Sequence, residues 1–364
     1  MSLPEVAIKK IMEIVPYVPG KSKVSGSHKV IKLSANENPF GASPKAIEAI
    51  KSAAKNSHLY PDGGCHKLRE SIGRMHNINP DMIVCGAGSD ELIALLCQSY
   101  AGEGNEVLYS QYGFLMYPIS ALRSGAIPVA AKEKNYRTDI DSILSAVTEK
   151  TRIVFIANPN NPTGSYLKKD EMRKLRSELP ENVLLVIDAA YSEYVTAPDY
   201  DSGIDLVSST NNTVMLRTFS KIYGLAALRL GWAYAPEHVV DVLNRVRGPF
   251  NVSSIAQAAG VAAIEDNSFT NRSIDHNNKW LKIMFSELSD IGLKALPTVA
   301  NFILIEFPKK PGNTAPEVDA KLKEEGIIVR RMDAYGLPNF LRVTIGLEEG
   351  NESFLRSMRE FFKW

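Results

Sequence analysis

Cysteine is scarce and unpatterned: Cys65, Cys85 and Cys97 are the only three in 364 residues. They follow neither CxxC nor Cys/His ligand spacing, which excludes a disulfide framework and a zinc site and leaves three reduced, buried thiols and no metal. Charge of one sign is equally lacking. The formal net charge is +1, so nothing argues for nucleic acid or an anionic membrane as a partner. Long apolar runs are absent too. The richest, Val183 to Ile187, is far too short to span a bilayer. The N-terminal stretch MSLPEVAIKKIMEIV is amphipathic and lacks the apolar run and cleavage site of a secretory signal. No internal repeat or low-complexity tract occurs. The expectation is a soluble, cytoplasmic protein.

What is present is ordinary globular composition, with 45% hydrophobic and 23% charged residues and room for a large core. The length suggests about two domains, one of them built from both chain ends. Residues 4 to 15 have helical spacing. Short strands are predicted at 30–33, 82–85, 106–110, 126–130, 151–157, 183–187, 213–216 and 232–235, with helices at 44–55, 68–75, 139–147, 168–179 and 236–246. A helix is expected to open at Gln111-Tyr112-Gly113-Phe114. Beyond residue 250 come helices at 255–265 and 271–288, a strand at 301–307, a helix at 316–325, strands at 327–331 and 341–345, and a terminal helix.

Four stretches at predicted strand ends carry chemistry. Gly86-Ala87-Gly88-Ser89-Asp90-Glu91 joins a strand to a helix start, where free N–H groups and the positive dipole end favour an anion. It lacks the third glycine of a dinucleotide fingerprint and does not follow the first strand. Asn158-Pro159-Asn160-Asn161-Pro162-Thr163-Gly164 reads as a rigid turn. Asp188 ends an apolar strand, where a carboxylate is costly unless paired. Thr218, Ser220 and Arg229 surround Lys221. Two hydroxyls and a guanidinium can hold a phosphate while a shielded lysine loses its proton readily enough to form a Schiff base.

LRTFSKIYGLAALRLG, with NPNNPTG, SANENPFG and YPD, resembles the fold-type I aminotransferases that use pyridoxal 5'-phosphate (PLP), and most closely their histidinol-phosphate branch. The resemblance runs from about Ile31 to Gly346. It implies an α/β fold: a large domain on a mostly parallel sheet at 41–250 and a smaller α/β domain at 251–364, with residues 1–40 an N-terminal arm or part of the smaller domain. It implies Lys221 as the PLP lysine and Asp188 as the pyridinium partner. Asn161 and Tyr191 would bond the phenolic oxygen, and Tyr112 would stack on the ring. Gly88, Ser89, Asp90, Thr218, Ser220 and Arg229 would hold the phosphate, with Tyr60 reaching in from the other subunit of a homodimer. Arg330, Arg342, Tyr17 and Asn38 would bind substrate. One departure stands out: the family's D-E-A-Y is here Asp188-Ala189-Ala190-Tyr191.

The reaction implied is L-histidinol phosphate plus 2-oxoglutarate giving imidazole-acetol phosphate plus L-glutamate. Aromatic amino-acid transamination and threonine-phosphate decarboxylation remain open on the same fold. A PLP-binding effector domain of a regulator would need a DNA-binding module that this N-terminus does not supply.

Overall fold

The computed structural model describes residues 9–18 and 30–362. Its large sheet has seven strands in the order Ile83–Gly86, Gly231–Tyr234, Thr213–Thr218, Leu184–Asp188, Thr151–Ala157, Glu106–Ser110, Ile127–Ala131. Only Gly231–Tyr234 runs against its neighbours. The other six therefore share one direction, and their carboxyl ends form a single edge. The central strands are buried on both faces, which is why they read as continuous apolar runs, whereas the edge strand Ile127–Ala131 is partly exposed. Side-chain alternation sorts them. Ile153, Phe155, Leu184, Val186, Val214 and Leu216 pack into one cluster, and Val154, Ile156, Leu185 and Ile187 into another.

Helix Ser89–Tyr100 covers the first face with Leu92, Ile93 and Leu96. Helix Ser254–Ile264, although beyond residue 250, buries Ala256, Ala259 and Ala263 in the same cluster as Leu68, Phe219 and Trp232. Its alanines and Gly260 allow close approach: a Cβ at Gly260 would stand 2.6 Å from a Leu230 methyl. This layer of the large sheet thus continues past the sequence-level boundary.

A second sheet runs Arg330–Arg331, Phe340–Thr344, Phe302–Glu306, Lys294–Ala295, all antiparallel. Helices Asn267–Asp290, Ala315–Glu324 and Glu348–Phe361 pack against it around Trp280, Met284, Val318, Leu322 and Phe354. The N-terminal strand Ile31–Lys32 pairs in parallel with Ile327–Ile328, and Leu33 enters the same core. Both chain ends thus build this layer.

The strand read as continuous over 327–331 divides at Val329, because its two halves take different partners. The helix expected from Gln111 begins at Met116, and residues 111–115 are a turn. Short elements at Ile204–Ser209 and Lys294–Ala295 had too few residues to show a period. Of the helix read over 4–15, the described part is a 3-10 turn, Lys9–Glu13; residues 4–8 lie outside the described residues.

Candidate active site

The carboxyl edge of the large sheet, capped by the second sheet and by residues 34–37, encloses a cavity of about 350 Å³, the size of a small-molecule site. Strand direction alone delivers its parts. Ser89, Asp90, Asn161, Asp188, Thr218, Ser220 and Lys221 all line it, although the chain separates them by up to 132 residues.

At one end, Gly88 (φ +84) lets the chain turn into helix Ser89–Tyr100, whose first turn has no side-chain cap. A Cβ at Gly88 would lie 2.5 Å from Arg229 Nη2, and one at Gly231 would lie 2.4 Å from the Ser89 nitrogen. Only glycine fits either position. Arg229, itself left-handed (φ +51), lays its guanidinium over the turn, donating to Ser220 Oγ at 3.3 Å and to Asp90 Oδ2 at 3.1 Å. Uncapped N–H groups, the hydroxyls of Ser89, Thr218 and Ser220 and a guanidinium make an anion cradle.

Asp188 lies at the centre, 5% exposed. Its Oδ2 accepts from the Tyr117 hydroxyl at 2.8 Å, while the buried Oδ1 has no partner among the described residues. Burial pushes this carboxyl up to about 6, partly offset by the Tyr117 bond. A buried carboxylate oxygen without a donor fits a protonated ring nitrogen, which would restore the missing bond and the charge balance. Tyr117 is held by stacking on Phe155, centroids 4.7 Å apart.

Lys221 Nζ makes one long contact, to the Ala35 carbonyl at 3.4 Å, and stands 5.7 Å from the Tyr191 ring centroid. No carboxylate pairs with it among the described residues, so its amine is uncommitted. Tyr191 Oη accepts from Asn36 Nδ2 at 2.9 Å. Asn161 Oδ1 accepts from Arg342 Nη1, leaving the Asn161 amide nitrogen as the donor toward the cavity.

Arg342 and Arg330 are cross-strand partners, so both guanidinium groups reach one side of the second sheet. Arg342 is buried, donates to the Ser34 carbonyl at 3.0 Å and lies 5.3 Å from the Phe302 ring centroid; burial lowers its pKa. Arg330 donates to the Val18 carbonyl at 2.7 Å with its guanidinium 5.9 Å from the Tyr17 ring. Tyr17 joins both in the lining.

Two sequence expectations need correction. Tyr112 does not line the cavity; its ring faces Tyr136 at 5.9 Å and packs near Leu296 and Phe340. Phe114, two residues on, is the lining aromatic, because the segment turns before the helix begins. Asn38 is likewise absent from the lining. Its Nδ2 donates to the Ile222 carbonyl at 2.6 Å and Ser273 Oγ at 3.0 Å, and its Oδ1 accepts from the Phe40 nitrogen, so its polar atoms hold the loop. Asn36 faces the cavity instead. Tyr60 is 83% exposed and stacks on Phe250 at 4.7 Å, away from this chain's cavity. Tyr117, Asn36, Phe114 and Tyr335 belong to the site although none had been given a site role from the sequence. Asn36 and Phe114 stood inside the quoted motifs; Tyr117 carried no signal.

A lysine, a buried aspartate and an anion cradle on one strand edge fit a pyridoxal-phosphate site, and the chain belongs to the aminotransferase class I and II family, whose model matches residues 28–357. It is 52% identical over 352 residues to a histidinol-phosphate aminotransferase of Rhodopseudomonas palustris (strain TIE-1), covering 96% of each chain. A histidinol-phosphate aminotransferase of Maricaulis maris (strain MCS10) is 50% identical over 353 residues, covering 97% of this chain and 98% of that one. The crystal structure of histidinol-phosphate aminotransferase from Sinorhizobium meliloti in complex with pyridoxal-5'-phosphate superposes with a TM-score of 0.90 at 25% identity, covering 100% of this chain and 99% of that one.

Proposed function

We propose that the chain transfers the amino group of L-histidinol phosphate to 2-oxoglutarate, using PLP on Lys221. The observation that carries the cofactor reading is the pairing of an uncommitted lysine with the orphaned Asp188 Oδ1 in one cavity. Bound there, the cofactor supplies a carbonyl for the amine and a ring that accepts the electrons of the broken Cα–H bond.

The residues divide the remaining work. Asp188 keeps the ring nitrogen protonated, and Tyr117 holds Asp188 in place. Asn161 Nδ2 and the Tyr191 hydroxyl donate to the phenolic oxygen. The cradle of Ser89, Thr218, Ser220 and Arg229 takes the phosphate, while Phe114 covers the ring. Lys221, whose amine is otherwise uncommitted, would take and return the proton of the substrate α-carbon. Arg342 and Arg330 present two adjacent planar forks. Such a pair suits a phosphate monoester and a dicarboxylate in turn, which is the demand of ping-pong exchange between these substrates.

We also infer a cytoplasmic homodimer in which Tyr60 serves the partner's phosphate cradle. Its exposure in the single chain supports this, because a large aromatic ring with a polar tip suits an interface. The test of substrate is a half-reaction: the loaded protein is mixed with histidinol phosphate, aromatic amino acids or threonine phosphate, and the cofactor absorbance is followed. Histidinol phosphate should convert it fastest. Faster conversion by aromatic amino acids, or CO₂ release from threonine phosphate, would replace the proposed substrate.

A further inference from the structure

Asn36 is 1% exposed and left-handed (φ +56), a conformation asparagine adopts more readily than most residues. Both its main-chain polar atoms and its side-chain oxygen and nitrogen are engaged. Its N–H donates to Thr344 Oγ1 at 2.9 Å, and its carbonyl accepts from Asn301 Nδ2 at 3.1 Å. Thr344 Oγ1 in return donates to Asn36 Oδ1 at 3.1 Å. That reciprocal pair faces the amide oxygen toward Thr344 and aims Nδ2 at Tyr191 Oη, 2.9 Å away.

A phenol has one hydrogen. If its oxygen accepts from Asn36, that hydrogen must point elsewhere. One side of the Tyr191 ring meets the apolar ring of Phe302, centroids 5.3 Å apart. The open direction is the cavity that Tyr191, Asn36 and Lys221 line together. We propose that Asn36 is a positioning residue: it fixes the Tyr191 hydroxyl as a donor into the cavity and ties it to Thr344 of the second sheet. Thr344 and Arg342 are two apart on one strand and share a face, so the strand that carries the anion clamp also sets the polarity of the tyrosine.

The inference rests on the PLP reading, and its test separates the two. The holoenzyme is titrated with pH while the absorbance of the bound cofactor is followed. The proteins are the unaltered chain, Asn36→Gly, Thr344→Val, and each of these combined with Tyr191→Phe. Glycine accepts the left-handed backbone, and Thr344 is outside the lining, so Thr344→Val leaves the cavity wall intact if Asn36→Gly fails to fold.

Donation by Tyr191 favours the anionic phenolic oxygen and lowers the titration midpoint. Losing one oriented hydrogen bond should raise that midpoint by about 0.5–1 pH unit, roughly a three- to tenfold change in proton affinity. Both single variants should show the rise, and neither should add to it once Tyr191 is phenylalanine. An equal rise in both backgrounds, or none in either, overturns the inference. An unaltered protein with no cofactor absorbance overturns the site reading itself, which is a different result from a normal titration that the variants leave unmoved.

Discussion

Asp188→Asn should remove a pH dependence of stability from the cofactor-free protein. Burial, the largest influence, holds the Asp188 carboxyl at about 6 against an ordinary value of 3.8, although the Tyr117 hydroxyl pulls it back. Between those values the folded protein keeps a proton that the unfolded chain has released. Stability therefore falls as pH rises through this window, the reverse of a salt-bridged carboxylate. The full difference is (6 − 3.8) × 1.36, about 3 kcal/mol, of which about 2 kcal/mol develops between pH 4 and pH 7. Asparagine has no proton to lose. Urea unfolding of both stripped proteins across this range should show the variant gaining on the native protein by that amount. A constant offset between the two curves would refute the reasoning. Tyr117→Phe removes the one donor to Oδ2 and should carry the native pH dependence to higher pH. Adding PLP should abolish it, because a pyridinium facing Oδ1 keeps the carboxylate charged.

Three further outcomes are expected. Borohydride reduction of the loaded protein followed by peptide mass spectrometry should place the adduct on Lys221; an adduct on another lysine would end the assignment. Arg342→Ala should raise the apparent KM for both histidinol phosphate and glutamate, at a cost of about 2–5 kcal/mol for a buried charged fork, and unchanged values for both would return the arginine to a structural role. Mixing Tyr60→Ala chains with Lys221→Ala chains should restore activity that neither parent has, since half of the sites in each heterodimer then carry neither lesion; no recovery in verified heterodimers would confine Tyr60 to its own subunit.

The sequence by itself determined the large sheet and the strand ends that bear the chemistry. Buried parallel strands read as apolar runs, and each functional motif begins where such a run stops, so Asn161, Asp188 and Lys221 could be placed on one edge from their spacing. The cradle was legible too, because Gly86-Ala87-Gly88 joins an apolar strand to a helix start and Thr218, Ser220 and Arg229 surround Lys221. The tertiary structure alone decided which residue of each loop faces the cavity. Asn36 and Asn38 belong to one motif, yet a left-handed turn at Asn36 sends its amide to Tyr191 while Asn38 binds Ile222 and Ser273. Tyr112 and Phe114 differ in the same way, since no fixed period governs side-chain direction in a turn. The Tyr117–Asp188 bond joins residues 71 apart, and the register of Arg330 against Arg342 depends on strand pairing. Such contacts are set by packing between elements, whereas a sequence pattern reports only the period within one element.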